Sequence, residues 1–210
     1  MEIDFANLPV YPRYKLMASL IVPRPIALIT TLGPDGTVNA APFSMFNMLG
    51  EDPPIVIVSI NRLTDGRLKD TAANILATGE FVVHLTDEAM SAQMHACGDA
   101  LPPHLSEIVH AGLTPTASRT VAPPRIAEAP VAFECVLHEK METDSRYIFI
   151  GRVLWLAARE GLIDTVQWRV RLQDYHPVGR FGASFYVKTG ERFAIEGRDR
   201  AARTTPIDEI

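Results

Sequence analysis

The stretch VPRPIALITTLGPDGTVNAAPFSMFN, residues 22–47, predicts the hairpin around which the rest of the chain is arranged. Its two opening prolines fix φ and favour extended backbone at the residues before them. The apolar run at 26–29 is long enough for a buried strand. GPDG then supplies a turn in which Gly36 is free to adopt positive φ, and residues 37–41 form the returning strand.

Polar side chains stand at the ends of the two predicted strands. Thr30 and Thr31 follow the first strand, so we expect both hydroxyls to leave the core together. PFSMFN then interleaves bulky apolar groups with Ser44 and Asn47. Polar ends with few charges suit a flat, neutral, hydrogen-bonding ligand better than a metal ion or a nucleic acid. The alternative is an ordinary hairpin whose polar ends bind nothing.

The bulk composition narrows the class of protein. The chain has 210 residues, of which 47% are hydrophobic and 21% charged, as in an ordinary globular protein of one large or two small domains. A formal net charge of −5 argues against nucleic acid or an anionic membrane as the main partner. No apolar run approaches the ~20 residues of a membrane span. The N-terminus does not resemble a signal peptide, and two cysteines make no disulfide framework, so we expect a cytoplasmic protein.

Apolar patterns and turn residues predict the remaining elements. They comprise a β-branched strand at 55–60, a helix at 71–77 capped by Asp70 and ended by Gly79, a strand at 81–85, a helix at 88–96 capped by Asp87, a long loop at 98–130 with a short helix near 106–111, and strands at 130–139 and 147–158. Residues 11–20 read as a strand followed by a turn, and 166–175 as a strand or a helix. Many short strands with few helices indicate an all-β barrel with helical additions.

The segment Lys69-Asp70-Thr71 has the features of a phosphate site. It opens a helix, where free backbone N–H groups and the helix dipole favour an anion. Lys69 adds a positive charge and Thr71 a hydroxyl donor, while Asp70 would cap the helix or pair with a cation. Ser59 and Arg62, at the end of the preceding strand, can converge on the same place. The alternative is a capped helix beside a solvated basic turn.

Five potential metal ligands lie close together in sequence, namely His84, His95, Cys97, His104 and His110. Their spacing matches no standard zinc pattern and no Cys-x-x-Cys pair is present, so we interpret the histidines as exposed or loop-packing side chains. Cys97 could act as a nucleophile beside a histidine, but no oxyanion or triad context is visible. Cys135 lies in an apolar strand and is expected in the core.

Several segments taken together resemble the flavin reductase-like family with the FMN-binding split-barrel fold. They are PRPIALITTLGPDGTVNAAPFSMFN, PPIVIVSINR, KDTAANILATGEFVVHL, GLTPTAS, APPRIAEAPVAFEC and YHPVGRFGASFY. The likeness covers roughly residues 10–190, and it is the order and spacing of the segments that make it specific. Two positions depart from the family pattern: His84 stands where Asn is frequent, and Ala183 where a second Gly is common. They affect the expected substrate or donor more than flavin binding.

The resemblance implies a mainly β fold, a six-stranded Greek-key split barrel with a few short helices. It implies a homodimer with flavin near the subunit interface. Residues 1–196 would form a single flavin reductase-like FMN-binding domain, followed by a charged, poorly ordered tail at 197–210.

The resemblance also implies an FMN site and a reaction. The residues at its ring end are Thr30, Thr31, Ser44, Met45, Phe46 and Asn47, and those at its phosphate end are Ser59, Arg62, Lys69, Asp70 and Thr71. Neither a G-x-G-x-x-G fingerprint nor a Walker A loop is present, so NAD(P)H would bind transiently over the flavin. We expect hydride transfer from NAD(P)H to flavin, and an oxygenase partner that receives reduced flavin.

Two other functions stay open at this point. The first is an FMN-binding electron-transfer protein without an efficient NAD(P)H reaction. The second is a barrel that binds no flavin and serves as an interaction module. Residues 176–180, which include His176 and Arg180, could reach the flavin or the partner subunit, or could simply anchor a loop.

Overall fold

The fold is mainly β, as predicted, in a computed structural model that describes residues 1–102 and 105–193. Its strands are β1 (Arg24–Pro25), β2 (Ala27–Leu32), β3 (Val38–Phe43), β4 (Phe46–Glu51), β5 (Pro54–Asn61), β6 (Glu80–Leu85), β7 (Pro115–Thr116), β8 (Arg125–Ile126), β9 (Val131–Glu142), β10 (Arg146–Ala158), β11 (Ile163–Asp164), β12 (Arg169–Val170), β13 (Val178–Arg180) and β14 (Tyr186–Lys188). Its helices are α1 (Val10–Leu20), α2 (Asp70–Thr78), α3 (Ser91–Ala96) and α4 (Glu107–His110), with 3-10 turns at Phe5–Asn7, Glu88–Met90 and Leu172–Asp174.

The main sheet has seven strands in the order β3-β2-β6-β9-β10-β5-β4, one more than predicted. Although β3 and β4 follow each other in the chain, they lie at opposite edges of the sheet. The edges nevertheless meet, because only residues 44 and 45 separate β3 from β4 in the chain and β3 contacts β5. The sheet therefore curves into a barrel. A further three-stranded sheet in the order β1-β13-β14 lies outside it.

The barrel encloses a core of large apolar side chains. Ile29, Phe81 and Phe149 are fully buried there, and α2 adds Ile75 to the same cluster. Phe81 fills the space in front of β10 so closely that any Cβ at Gly151 would collide with its ring. The large ring at Phe81 and the absence of a side chain at Gly151 together fix how β6 packs on β10.

The opening hairpin and α2 follow the prediction closely. Strands β2 and β3 pair from Ala27 opposite Phe43 to Leu32 opposite Val38, and Gly36 adopts φ of 83° in the turn. Helix α2 ends at Gly79 in the left-handed conformation. The predicted cap is wrong by one position: Asp70 is the first helical residue, and Lys69 is the N-cap without a side-chain capping bond.

The N-terminal prediction was wrong, because the segment from Val10 to Leu20 is helix α1. Pro12 does not prevent the helix, because proline is tolerated in the first turn, where its missing N–H has no intrahelical role. Good helix formers follow it at residues 15–18. Residues 166–175 form neither a long strand nor a long helix, since only β12 and a 3-10 turn are present there. The predicted tail at 197–210 lies outside the described residues.

The long loop after α3 is fastened to the barrel by Glu134. This carboxylate is fully buried on β9 and accepts hydrogen bonds from the N–H groups of Arg119 and Thr120 and from the Thr120 hydroxyl at 2.6–3.0 Å. Burial acts to raise the pKa of Glu134, but these bonds and the Arg125 charge outweigh it and lower the pKa. In the described parts of the chain, no helix is long and apolar enough to cross a membrane.

Candidate functional site

Three cationic residues lie where β5 ends, β10 begins and α2 starts. We call Arg62, Lys69 and Arg146 the basic cluster. The sheet brings them together: the Arg62 N–H donates to the Ser145 carbonyl at 2.9 Å, and Arg146 lies opposite the last residue of β5. Burial lowers the pKa of Lys69, and the nearby charge of Arg146 lowers it further.

Two of these cations have no acidic partner in the part of the chain that the structure describes. Arg62 forms an ion pair with Glu142, but no carboxylate in residues 1–102 and 105–193 lies within salt-bridge distance of Lys69 or Arg146. Arg146 instead donates to the Ser59 carbonyl at 3.5 Å. Like charges that are partly buried together without a counterion favour binding of an anion.

A cavity of about 660 Å³ adjoins the basic cluster. We call it the large cavity, and its size is within the range of small-molecule sites. Its walls come from α1, β1, the end of β3, α3 and the β13–β14 turn. The lining residues are Tyr11, Tyr14, Lys15, Ala18, Ser19, Arg24, Ile26, Pro42, Phe43, Ser44, Met94, His95, Gly98, Asp99, Arg180, Ala183 and Tyr186.

Two aromatic rings connect the basic cluster to the large cavity. The Lys69 Nζ lies 5.8 Å from the centroid of the Phe43 ring, and the Arg146 guanidinium lies 5.8 Å from that of Tyr14. Both rings also line the cavity. Cation–π contacts of this kind hold the charges against the cavity wall. Lys69 and Arg146 therefore lie directly beside the large cavity, each in contact with a ring that lines it.

Several predicted site residues lie at this place. Ser44 is half-buried and lines the cavity, and Met45 next to it is bonded through its carbonyl to Ser59. Phe46 packs against the barrel core. Asn47 lies apart from them, because it is exposed on edge strand β4 and its Oδ1 accepts from the Met48 N–H at 2.9 Å.

Thr30 and Thr31 do not leave the core, contrary to expectation, since both are fully buried within β2. The Thr30 hydroxyl donates to the Pro124 carbonyl at 2.6 Å. The Thr31 oxygen accepts from the side-chain amides of Asn39 at 3.2 Å and Asn74 at 3.0 Å. The long loop and α2 cover the end of this strand, which the sequence alone did not indicate.

Thr71 belongs to the same interior network. It is 1% exposed, and its hydroxyl oxygen accepts from the Asn39 amide at 2.9 Å. Asp70 is exposed at the first position of α2, where a carboxylate interacts favourably with the helix dipole. The hydroxyl of Thr71 thus faces the barrel, and the backbone N–H groups of the first turn are the part of α2 that faces outward.

Sequence reasoning missed Arg146, Tyr14 and Arg24 as site residues. Arg146 follows a polar turn at the start of a correctly predicted strand, so hairpin pairing could have placed it beside Arg62. Tyr14 was missed because α1 was predicted as a strand. Arg24 stands between two prolines inside the quoted hairpin, and no local signal distinguishes it from a solvated arginine.

Neither cysteine is suited to nucleophilic chemistry. Cys97 and Cys135 are both buried, and the pKa of each is raised to about 12. Burial is the main cause for both thiols, and nearby carboxylates act in the same direction. Since the thiolate is the reactive form, both side chains are inert at neutral pH.

The histidines have separate structural partners. His84 is fully buried, His95 is hydrogen-bonded to the Tyr186 hydroxyl at 2.8 Å, and His110 contacts Asp99 at 3.1 Å. His104 lies outside the described residues. Within those residues, no three histidine, cysteine or acidic side chains are grouped so that they could hold a metal ion.

The curved barrel has the architecture of a split-barrel protein, with a cavity lined in part by Lys15, Arg24 and Arg180 as its candidate site. A family model for the flavin reductase like domain matches residues 17–174. An uncharacterised protein of Aquifex aeolicus (strain VF5) is 39% identical over 175 residues, covering 83% of this chain and 89% of that protein. The chain therefore belongs to the flavin reductase-like family.

Solved structures agree with this assignment. The Pseudomonas fluorescens 2-nitrobenzoate 2-nitroreductase NbaA is 34% identical, with a TM-score of 0.87 and coverage of 98% of this chain and 100% of that chain. Nitrilotriacetate monooxygenase component B from Bacillus cereus is also 34% identical, with a TM-score of 0.87 and coverage of 93% and 98%. A Shewanella frigidimarina NCIMB 400 protein with a split barrel domain, 22% identical, has a TM-score of 0.80 over 95% of this chain and 100% of that chain, and supports the fold.

Proposed function

We propose that the chain is an FMN-dependent oxidoreductase that takes electrons from NAD(P)H and supplies reduced flavin to an oxygenase partner. The observation that carries this proposal is a pair of cations, Lys69 and Arg146, that lie beside the large cavity and have no acidic partner among the described residues. FMN has the matching shape, with a phosphate at one end and a flat ring system at the other. Family membership supports a flavin as the ligand.

The phosphate would be held at the basic cluster. Lys69 and Arg146 supply charge, and Arg62 adds a guanidinium that is already oriented by its ion pair with Glu142. The first-turn N–H groups of α2, at Asp70 and Thr71, complete an anion site of the kind that helix N-termini provide.

The ring would lie beside the opening hairpin. The half-buried Ser44 and nearby backbone N–H groups can serve the polar ring edge. Ser59, whose carbonyl accepts from Arg146, would stand at the phosphate end, whereas Asn47 is exposed on β4 and lies apart from the ring. Met45 and Phe46 shape the pocket. Thr30 and Thr31 would not contact the ring, since their hydroxyls are already bonded within the protein. They would support the site by holding β2 in position.

When bound, the flavin supplies the redox chemistry, accepting electrons from NAD(P)H and passing them on. The protein then has to provide position, electrostatics and exclusion of water. Tyr14, Pro42 and Phe43 offer apolar surface for flat rings, and no side chain in the cavity is required as a general acid or base. A cavity of about 660 Å³ leaves room for a second molecule beside the ring.

The oxygenase partner and the homodimer are parts of the same proposal. A neighbour at 34% identity is a monooxygenase component, which supports transfer of reduced flavin to an oxygenase. Met48 and Leu49, 62% and 49% exposed, lie on β4 at the edge of the main sheet. An edge strand with exposed apolar side chains is a natural site for a two-fold contact, which light scattering of the purified protein would test.

Anaerobic reduction of the purified protein tests the proposed function. We expect a yellow protein whose flavin absorbance is bleached by NADH or NADPH. Lys69→Ala should lose FMN on gel filtration, whereas Lys140→Ala, a control on the exposed part of β9, should retain it. Bleaching by dithionite but not by either nucleotide would indicate an electron-transfer flavoprotein instead. A colourless protein that binds no added FMN would indicate a barrel without a flavin function.

A further inference from the structure

Two arginines face the large cavity from neighbouring strands. Arg24 on β1 and Arg180 on β13 are direct partners in the antiparallel register, and both line the cavity. Like charges directly opposite each other in a sheet are destabilising. We call these two residues the arginine pair. An anion in the cavity would stabilise two positive charges placed in this way.

The described residues supply only neutral hydrogen-bond partners to the arginine pair. Arg24 is 9% exposed and donates to the carbonyls of Ala18 and Ile21 and to the Ser44 hydroxyl, the last at 3.4 Å. Arg180 donates to the Ala183 carbonyl. Within residues 1–102 and 105–193, neither guanidinium has a carboxylate within salt-bridge distance.

Other groups in the cavity do not neutralise the pair. Asp99 also lines the cavity, but its carboxylate contacts His110 at 3.1 Å. Lys15 adds another positive charge. Burial lowers the pKa of Arg24; Tyr14 opposes this effect, and the charge of Arg180 adds to it.

The neighbouring side chains hold Arg180 in place. Tyr186 on β14 is its register partner on the other side, and the guanidinium lies 4.8 Å from the centroid of the Tyr186 ring. The Tyr186 hydroxyl is in turn hydrogen-bonded to His95 at 2.8 Å. A guanidinium fixed by stacking keeps its planar fork oriented for two parallel hydrogen bonds.

We propose that Arg24 and Arg180 form an anion subsite of the large cavity, which holds the anionic group of the molecule that exchanges electrons with the flavin. The identity of that molecule rests on the proposed function, but binding of the anion does not. A carboxylate or a pyrophosphate matches the fork of a guanidinium. The subsite would therefore take either the carboxylate of an aromatic electron acceptor or the pyrophosphate of the nicotinamide donor.

Arg180→Gln is the variant that tests the subsite. It removes the charge with little loss of side-chain length, and it breaks only the contact to the Ala183 carbonyl and the stacking on Tyr186. Arg24 is less suitable because its guanidinium also ties down the C-terminal end of α1. Arg152→Gln is the matched control, since Arg152 is exposed on β10 and does not line the cavity.

Titration calorimetry of the purified protein, with its flavin content measured, would use benzoate, benzamide and inorganic pyrophosphate. We expect Arg180→Gln to weaken at least one anion by roughly ten- to hundredfold, while the neutral benzamide and the Arg152→Gln variant stay unchanged. A loss confined to benzoate identifies an acidic acceptor as the source of the anion, and a loss confined to pyrophosphate identifies the nicotinamide donor. Arg180→Lys should recover only part of the affinity, because it keeps the charge without the fork.

Three results would overturn the subsite. One is that wild type binds neither anion, and another is that Arg180→Gln binds both anions as wild type does. The third is that Arg180→Gln weakens FMN but not riboflavin, because the pair would then hold the flavin phosphate. Failure of the proposed function is distinguishable from these: a protein that binds benzoate through Arg180 but is not reduced by NAD(P)H keeps the subsite and loses the reductase.

Discussion

Polar side chains on the two sides of the first turn of α2 differ in whether their bonding is satisfied within the protein. On the side that faces the barrel, Thr31, Asn39 and Thr71 are buried and bonded to one another at 2.9–3.2 Å. On the side that faces the cavity, Lys69 and Arg146 are partly exposed and have no acidic partner among the described residues. Lys69 and Thr71, which lie on opposite sides, have only Asp70 between them in the sequence.

The contrast distinguishes positioning from binding. A buried polar group whose hydrogen bonds are satisfied inside the protein stabilises a particular arrangement and has little left to offer a ligand. A cation held near another cation is stabilised when an anion arrives. We therefore expect substitutions in the interior to change stability, and substitutions in the basic cluster to change affinity.

His84, the most enclosed of the interior groups, should produce the largest effect. Its Nδ1–H donates to the Leu28 carbonyl at 2.9 Å, and its Nε2 accepts from the Ile126 N–H at 3.0 Å. Burial lowers its pKa from 6.5 to about 4, although the bond to Leu28 opposes this and the Arg125 charge assists it. Protonation would place an N–H on Nε2 facing the Ile126 N–H, so this hydrogen bond would be lost.

The sign of the pH dependence follows from these pKa values. Between pH 4 and 6.5 the unfolded chain binds the His84 proton and the folded protein does not, so stability rises with pH in this window. The contribution is complete above the unfolded pKa and is lost as pH falls toward the folded one, in total about 3 kcal/mol. Urea unfolding at pH 7 and pH 4 should show wild type losing about that much more than His84→Asn, which cannot titrate. Equal losses in the two proteins would contradict the prediction.

Lys69→Ala tests the cavity side of the comparison. Hydrogen bonds to charged groups contribute about 1.5–3 kcal/mol, and ~1.4 kcal/mol is tenfold in affinity. We expect FMN to bind roughly ten- to hundredfold more weakly, with little change for riboflavin, which lacks the phosphate. Fluorescence quenching with each flavin gives the dissociation constants. Equal weakening of both ligands would show that the phosphate lies elsewhere.

Thr71→Val tests the side of the first α2 turn that faces the barrel. The substitution keeps the shape of the side chain and removes the acceptor of the Asn39 amide. Loss of this buried hydrogen bond should cost about 1–2 kcal/mol in the free energy of unfolding. The ratio of FMN to riboflavin affinity should remain that of wild type. A selective loss of FMN affinity would instead mean that the Thr71 hydroxyl turns to the phosphate.

Much of the fold could be predicted because the signals for it are local. The run IALI, the turn at Gly36 and the stop at Gly79 specify their elements without help from distant residues. Strand β4 was not predicted, since its Met48 and Leu49 are both exposed and break the alternation of a half-buried strand. The register of the large sheet depends on pairings between segments far apart in sequence.

The same division applies to the candidate site. Lys69, Ser44 and Ser59 could be proposed because each belongs to a short motif with a physical reason. Arg146 and Arg24 were missed, and Arg180 was left open, because the role of each depends on a register partner on another strand. Whether a hydroxyl faces inward is decided by what covers the strand end, which for Thr30 is the Pro124 carbonyl of a long loop.

Ala183, which lies in the β13–β14 turn and lines the large cavity, should show the smallest effect. It has φ of 49°, in the left-handed region where a Cβ is unfavourable. Its carbonyl accepts from Arg180. Ala183→Gly removes the strain, worth about 1–2 kcal/mol, but adds backbone freedom to the unfolded chain, worth about 0.5–1 kcal/mol. We therefore expect a net gain of about 0.5–1 kcal/mol.

The control substitution should change the free energy of unfolding in the opposite direction. Ala157 lies in β10, where φ is not positive, so Ala157→Gly should destabilise by about 0.5–1 kcal/mol through backbone entropy alone. Urea midpoints at constant m-value would separate the two variants. Because Arg180 contacts the backbone carbonyl of Ala183 and not its methyl group, Ala183→Gly should leave benzoate and pyrophosphate affinities as in wild type. If both variants destabilise the protein equally, the left-handed conformation of Ala183 does not strain the folded state. If anion affinity falls while stability rises, the strained turn itself orients Arg180.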